Sequence, residues 1–132
     1  MKRILVLLAL AAPLLVAQTD RWVYFFTDVD NARSYIDAQT VQYRASSQTG
    51  VPNDYVSVWV KIVHSSGTST LAHNQLHYTT RHVRFLSLVN YDAEGKITYS
   101  SYEPGKWVDI TPESMGDALL HRLYRMDSTH TD

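Results

Sequence analysis

The chain has 132 residues, enough for one domain of ordinary size and too few for two. Its 12 Lys and Arg residues nearly balance its 13 Asp and Glu residues, and the formal net charge of −1 does not favour nucleic acid as a partner. The sequence contains no cysteine, which excludes disulfides, thiol nucleophiles and thiolate metal ligands.

Residues 1–17 have the pattern of a secretory signal peptide. Lys2 and Arg3 precede an uninterrupted apolar run, Ile4–Val16. The run has about 13 residues, whereas a helix that spans a bilayer needs roughly 20, so a membrane-retained helix is the weaker alternative. Ala17 then offers a small residue for cleavage. We therefore predict that this segment is a signal peptide.

The remainder of the chain, residues 18–132, is predicted to be a single exported domain. Removal of the signal peptide takes away Lys2 and Arg3, so 10 of the 12 cationic side chains remain. With 13 carboxylates, the mature domain has a formal charge of −3. No cysteine follows the apolar run, so no lipid anchor is expected. Without disulfides, the domain must derive its stability from its core.

The mature sequence begins with patterns typical of β-strands. Aromatic and β-branched residues at Trp22–Thr27 predict a first strand, and Ser34–Tyr43 is predicted to hold a second. The turn residues between them, which include Asp28 and Asp30, favour a hairpin. A polar loop with glycine and proline follows at Arg44–Asp54.

The clearest alternation lies in the segment DYVSVWVKIVH, residues 54–64. One face is apolar and consists of Val56, Val58, Val60 and Ile62. The other face is mixed and consists of Tyr55, Ser57, Trp59, Lys61 and Val63. This alternation predicts a central strand. We predict that Trp59 lies under the C-terminal helix or at an interface.

The stretch HYTTRHVRFL, His77–Leu86, combines two histidines, two arginines and three apolar side chains. We predict that it is part of one long extended segment, Leu71–Tyr91, with a polar, exposed first half that becomes core further on. In this interpretation Arg81 and Arg84 pair with surface carboxylates.

Metal binding is the less favoured interpretation of the same histidines. Residues five apart on a strand point to opposite faces, so His77 and His82 are not expected to form a clamp. His73 and His77 are four apart and would share a face, but this pair would still need a distant carboxylate. We predict no metal site and no cofactor.

A hairpin is predicted beyond this segment. The four residues Asp92–Gly95 (DAEG) place a glycine where a turn requires a positive φ. The flanking segments Phe85–Tyr91 and Lys96–Tyr102 should therefore pair with each other.

A helix is predicted near the C-terminus, with Thr111 as its N-cap and Pro112 at its first position. Apolar residues then recur at spacings of three and four: Met115, Ala118, Leu119, Leu123 and Met126. This stripe needs one face of a sheet to cover it. Residues 126–132 have nothing to bury and are predicted to fray.

No motif in the sequence predicts catalysis. A Gly-x-Ser-x-Gly elbow, a phosphate-binding loop and a cysteine are all absent. Asp28 and Asp30 could act as paired carboxylates, although an ordinary acidic turn is favoured. Trp22, Trp59 and Trp107 could form a sugar-stacking platform, although core or half-buried packing is favoured. We predict no catalytic residue.

Five loose motifs occur in one order along the mature chain: RWVYFF (Arg21–Phe26), SYIDAQTV (Ser34–Val41), VSVWVK (Val56–Lys61), VNYDAEGKI (Val89–Ile97) and KWVDITPESMGDAL (Lys106–Leu119). With these motifs the chain resembles the bacterial surface-adhesin protein E family. The resemblance implies an antiparallel sheet with a C-terminal helix, export to the periplasm or cell surface, and binding of host matrix or plasma proteins. Family members often carry a cysteine pair, and the surface-anchored adhesin carries a lipid-bearing cysteine; this chain has neither.

The expected fold is α+β: an antiparallel sheet of about five to six strands with one C-terminal helix packed on it. The expected function is a non-enzymatic, exported, protein-binding domain in the periplasm or at the cell surface. Its partner would be a host matrix or plasma protein, an envelope component, or a second copy paired through sheet edges. The predicted binding residues are Tyr55, Trp59, Arg81 and Arg84. The alternative is a periplasmic small-ligand carrier, or an inhibitor of an envelope enzyme, that uses a groove between helix and sheet lined by Trp59 or Trp107.

Overall fold

The structure is a computed structural model that describes residues 21–127. The predicted signal peptide, residues 1–17, lies outside this range. Of the tail predicted to fray, residues 126 and 127 are described and belong to the end of the helix. The N–H of Asp127 donates to the carbonyl of Leu123 at 3.1 Å and closes the last helical turn.

Within this range the chain forms one antiparallel sheet of eight strands. The strands are β1 (Trp22–Thr27), β2 (Arg33–Asp37), β3 (Gln42–Arg44), β4 (Tyr55–Val63), β5 (Ser69–His77), β6 (His82–Tyr91), β7 (Ile97–Ser101) and β8 (Val108–Asp109). Six of them follow the order β1-β2-β4-β5-β6-β7, while β3 pairs with β4 and β8 pairs with β6. The predicted fold class is confirmed, with slightly more strands than expected because two short strands extend the sheet.

The helix α1 (Met115–Met126) covers one face of the sheet. Nine buried apolar side chains from the sheet, α1 and the segment before it form the core: Ile36, Val56, Val58, Val60, Leu76, Ile110, Leu119, Leu120 and Leu123. The predicted apolar face of the central strand is therefore confirmed for its three valines, each of which has no exposed surface. Burial of these side chains is the main stabilising contribution to the fold.

The first predicted hairpin is confirmed by the pairing of β1 with β2. The second predicted strand, over residues 34–43, is interrupted by a 3-10 turn at Ala38–Thr40. The side chain of Asp37 accepts from the N–H of Gln39 and caps this turn. The chain then resumes as β3, which also lies beside β4.

The hairpin across Asp92–Gly95 is also confirmed. Strands β6 and β7 pair on either side of it, and Gly95 has a φ of 84°. This is the left-handed region that glycine adopts without strain.

The helix begins three residues later than predicted. Ser114, rather than Thr111, is the N-cap, and its hydroxyl oxygen accepts from the N–H of Asp117 at 3.2 Å. The Asp117 carboxylate in turn accepts from the N–H of Glu113 at 2.9 Å. Glu113 has a φ of 65°, which is incompatible with a right-handed helix at that position. The Ser114 and Asp117 side chains together satisfy the backbone donors of Asp117 and Glu113, which favours a helix that begins at Met115 over one that begins at Pro112.

The prediction of one extended segment over Leu71–Tyr91 is wrong. β5 ends at His77, a four-residue turn follows, and β6 begins at His82. Arg81 takes a φ of 55° in this turn without being a glycine. The buried Asp54 stabilises the turn by accepting from the N–H and the hydroxyl of Thr79 at 3.0 and 2.9 Å. The sequence carries no Gly, Pro or Asn at the turn, so its position depends on this distant carboxylate.

Candidate functional site

The face of the sheet opposite α1 carries most of the polar and aromatic side chains of the central strands, and we call it the open face. Residues directly opposite each other in paired strands share a face. Tyr55 therefore shares the open face with its partner His77 and with Arg44 of β3. Trp59 shares it with its partner His73.

All three tryptophans contact side chains on the open face. The ring of Trp59 is stacked on His73, with ring centroids 4.9 Å apart and planes 8° apart. The Nζ of Lys61 lies 4.2 Å from the centroid of Trp22. The guanidinium of Arg84 lies 4.7 Å from the centroid of Trp107. Since these are cation–π or stacking distances, each tryptophan is held in place by a basic neighbour.

The prediction that Trp59 lies under the helix is wrong. Its strand neighbours Val58 and Val60 face α1, so the side chain of Trp59 points to the other side of the sheet. Trp59 is half-buried on the open face. The other predicted position, at an interface with a partner, is compatible with this placement.

A shallow trough crosses the open face between two ring stacks. Tyr55 and His77 form one stack, with centroids 4.5 Å apart, and Trp59 with His73 forms the other. Ser57 lies between them on β4 and leaves space because its side chain is small. A cavity of 140 Å³ is lined by the following residues of this trough: Gln42, Arg44, Tyr55, Val56, Ser57, His73, Gln75 and Leu86.

A second cavity, of 310 Å³, also borders Tyr55. This cavity is lined by Gln48, Tyr55, His77, Thr80, His82 and Trp107. Tyr55 borders both cavities, so a ligand in either cavity would contact Tyr55.

A buried ion pair supports this end of the open face. The Nε2 of His77 lies 2.9 Å from a carboxylate oxygen of Asp54, and the side chains are 3% and 1% exposed. Burial tends to raise the pKa of Asp54, but hydrogen bonds from Thr49 and Thr79 and the charge of His77 hold this pKa below its ordinary value. The carboxylate is therefore ionised in the folded protein at neutral pH.

Thr80 links His77 to His82 across the turn. Its hydroxyl oxygen lies 2.6 Å from the Nδ1 of His77 and 2.9 Å from the Nδ1 of His82. The Nε2 of His82 lies 2.7 Å from Asp109, just as that of His77 faces Asp54. Each Nε2 must carry a proton to donate to its carboxylate, and the single hydroxyl proton of Thr80 can serve only one Nδ1. Thr80 therefore joins the two histidine–carboxylate pairs into one hydrogen-bonded network.

The expectation that His77 and His82 point to opposite faces is wrong, since the turn brings them together as a cross-strand pair. Among residues 21–127, no group of three or more histidine or carboxylate side chains is arranged to hold a metal ion. Both nitrogens of His77 already have partners in Asp54 and Thr80. His73 faces Trp59.

Three of the four predicted binding residues, Tyr55, Trp59 and Arg84, lie together on the open face. Arg81 lies elsewhere: its guanidinium bonds the Asp117 carboxylate of α1 at 2.6 Å. The expected pairing with a carboxylate is thus confirmed for Arg81. It is wrong for Arg84, whose Nε donates to the side-chain oxygen of Gln75 at 2.8 Å.

The residues that sequence reasoning missed are Gln42, Arg44, Gln75 and Thr80. They come from two strands and one turn, and no local pattern connects them. The alternation in β4 alone could have indicated Ser57 as a gap between Tyr55 and Trp59.

A groove between the helix and the sheet is also present. Its volume is 380 Å³, and its lining consists of Val51, Asp54, Tyr78, Thr79, Arg81, Leu120, His121 and Tyr124. Neither Trp59 nor Trp107 lines it, so the lining expected for a ligand carrier is not the one observed.

His73 should titrate below the ordinary histidine value. Burial beside Trp59 lowers the pKa of His73 from its usual 6.5. Between the lowered and the ordinary pKa the unfolded chain binds more protons at this site, so its contribution to stability falls as the pH decreases below about 6.5. An NMR titration of the ring in the Trp59→Ala variant should show the pKa returning upwards; the same midpoint in both proteins would contradict burial as the cause.

The part of the chain that the structure describes contains no helix with the length and apolar character needed to cross a membrane. The architecture defines the chain as a small α+β domain with one helix-covered sheet face and one open aromatic, basic face.

The chain belongs to the surface-adhesin protein E family, whose family model matches residues 22–123. The predicted family is therefore confirmed, and this membership indicates a surface, adhesin-like role rather than an enzymatic one. A search of curated proteins found no match, and a search of solved structures found none either.

Proposed function

We propose that this protein is a non-enzymatic, exported domain that binds a protein partner at the bacterial envelope or cell surface through the open face. Export rests on the signal-peptide pattern of residues 1–17. Family membership supports an adhesin-like role. The partner would be a host matrix or plasma protein or an envelope component.

The observation that carries the proposal is the composition of the open face. Three half-buried tryptophans, Trp22, Trp59 and Trp107, contact Lys61, His73 and Arg84 there. Tryptophan, tyrosine and arginine are the residues that most often dominate the energetics of protein interfaces. A fixed ring also loses little conformational entropy when a partner binds, since it is already ordered.

The proposal is tested by capture of partners with mature protein, residues 18–132, from matrix and plasma proteins and from envelope extract. We expect the double variant Trp59→Ala/Arg84→Glu to lose the captured partner. Tyr124→Ala serves as the matched control, because Tyr124 is an aromatic residue of α1, on the other side of the sheet from the open face, and is 42% exposed. Equal capture by wild type and the double variant, with both folded by circular dichroism, would overturn the assignment of the open face.

A homodimer through sheet edges belongs to the same class of function. The strand β7 ends the main strand order and presents Ile97 and Tyr99, which are 59% and 55% exposed. Size-exclusion chromatography with light scattering measures the mass of the mature protein and so distinguishes a monomer from a dimer. A strict monomer at all concentrations would exclude the dimer.

The second candidate function is a small-ligand carrier, favoured by the 380 Å³ groove between α1 and the turn after β5. Leu120, Tyr78 and Tyr124 line its apolar part. A thermal-shift panel of lipids and sugars tests this function. Stabilisation that disappears in Leu120→Gln but persists in Trp59→Ala would favour the carrier over the protein-binding proposal.

A further inference from the structure

The open face concentrates positive charge on a protein whose net charge is negative. Arg33, Arg44, Lys61 and Arg84 all lie on this face by strand register. None of the four is within salt-bridge distance of a carboxylate among residues 21–127. The basic side chains are therefore available to an acidic partner.

The carboxylates nearest this face are already bound to side chains of the protein. Asp37 accepts two hydrogen bonds from Arg21, at 2.8 and 2.7 Å, and Asp109 contacts His82. The other described acidic residues, apart from the buried Asp54, lie in the turns and connections between strands or around α1. No carboxylate lines the trough itself. An acidic ligand would meet little repulsion there.

The trough and its border present hydrogen-bond donors. Arg44 and Gln75 line the trough, and Arg84 borders it as the cross-strand partner of Gln75. Arg84 donates to the side-chain oxygen of Gln75 at 2.8 Å, and Arg44 donates to that of Gln42 at 3.4 Å. An arginine side chain only donates hydrogen bonds, so the side-chain oxygens of Gln75 and Gln42 must face the guanidinium groups. The side-chain NH₂ groups of the two glutamines then point away from the arginines and can donate to a ligand. With the Ser57 hydroxyl, these groups form a surface that suits carboxylate oxygens.

The spacing of the two arginines matches an extended polypeptide. Arg44 lies on β3 and Arg84 on β6, with β4 and β5 between them. The side chain of Arg44 reaches back along β3 to Gln42, which lies in one row across the sheet with Ser57, Gln75 and Arg84. Three strand spacings of about 4.8 Å separate the two ends of this row by about 14 Å. An extended peptide rises about 3.4 Å per residue, so side chains four residues apart on one side also lie about 14 Å apart.

We infer that the trough between the two ring stacks binds an extended acidic segment of a protein, in which two carboxylates four residues apart contact Arg44 and Arg84. This inference rests on the proposed protein-binding function and specifies the chemistry of the partner. A sulfated polysaccharide is the competing polyanion. The observations favour a peptide because the length of the row between the two arginines matches the rise of an extended polypeptide.

The test uses three synthetic peptides and the mature protein at low ionic strength, with affinity measured by titration calorimetry. The probe is Ser-Asp-Ser-Ser-Ser-Asp-Ser, blocked at both ends. One control has the two aspartates adjacent, and the other replaces both aspartates by lysines. We expect the probe to bind more tightly than either control. Equal binding of the probe and the adjacent-aspartate control would overturn the spacing argument.

Variants then locate the site on the protein. Arg44→Gln and Arg84→Gln should each weaken binding of the probe about tenfold, since each removes a charge-assisted contact. Arg125→Gln removes the same charge from the exposed last turn of α1 and should leave affinity unchanged. Arginine variants that bind the probe like wild type would overturn the inference, as would tight binding of dextran sulfate with no binding of the probe.

The failure of this inference is distinguishable from the failure of the proposed function. If no acidic peptide binds while partner capture still depends on Trp59 and Arg84, the acidic-segment inference is wrong and the open face remains the interface. If capture is also insensitive to these residues, both proposals fail.

Discussion

Replacing Asp54 by alanine should lower the free energy of unfolding by about 3–5 kcal/mol, the cost typical of breaking a buried ion pair. The Asp54 carboxylate accepts from Thr49, from the N–H and the hydroxyl of Thr79, and from His77. Its loss leaves the buried His77 and the partly buried donors of Thr49 and Thr79 without their acceptor, and removes the contacts that fix the turn between β5 and β6. Urea denaturation followed by circular dichroism measures the change.

Asp109→Ala is the matched control for this prediction. Asp109 also contacts a histidine, His82, but its side chain is 90% exposed whereas that of Asp54 is 1% exposed. Because exposed ion pairs contribute little, this variant should leave the denaturation midpoint nearly unchanged. Equal losses in the two variants would show that burial does not determine the contribution of the Asp54 pair.

The same carboxylate predicts the direction of the acid response. The pKa of Asp54 is held below its ordinary value in the folded state, so the unfolded chain binds the proton first as the pH decreases. Stability from this group is present above about pH 4 and is lost as the pH falls through the folded pKa. Asp54→Asn should remove this part of the pH dependence; an unchanged acid profile would contradict the assignment.

Leu123→Ala should lower the free energy of unfolding by about 3 kcal/mol, within the range of about 2–5 kcal/mol for buried leucines. Leu123 has no exposed surface and lies in the core between α1 and the sheet. Its carbonyl also accepts from the Tyr43 hydroxyl at 2.6 Å, so the residue joins α1 to β3 through both backbone and side chain. The alanine substitution removes only the side-chain contribution.

Met126→Ala is the internal control on the same helix. Met126 is apolar and lies one turn from Leu123, but it is 38% exposed. Its truncation removes far less buried surface and leaves no enclosed cavity, so the midpoint should shift much less. If both substitutions shifted the denaturation midpoint equally, the packing of α1 described above would be wrong.

The Tyr43 hydroxyl also shows how closely the helix and β3 are joined. Burial and the nearby charge of Asp127 raise the pKa of Tyr43 to about 12. The phenol therefore remains protonated and able to donate to Leu123 throughout the physiological range. This contact supports α1 from the strand that also carries Arg44 of the open face.

The sequence predicts the placement of the four proposed binding residues only in part, for a definite reason. Tyr55 and Trp59 belong to β4, where strict alternation assigns faces without knowledge of the neighbours. For Arg81 and Arg84, the prediction of one extended segment implies a chain that runs straight from β5 into β6. The intervening turn resets the alternation, so Arg84 joins the face of Tyr55 while Arg81 reaches Asp117 of α1. This one turn therefore separates Arg81 from the other three residues.

The sequence by itself determined the fold class, the family and the elements with local signals. Three features have local signals: the alternation of β4, the Gly95 hairpin and the apolar stripe of α1. Each depends on about ten neighbouring residues, over which side-chain direction follows from backbone geometry alone. Only the tertiary structure decided the turn after His77, the contact of His77 with His82 through Thr80, and the trough between the ring stacks. These features depend on strand register and on Asp54, which lies 25 residues from its partner Thr79. Such contacts are set by packing between distant segments, which local sequence patterns do not encode.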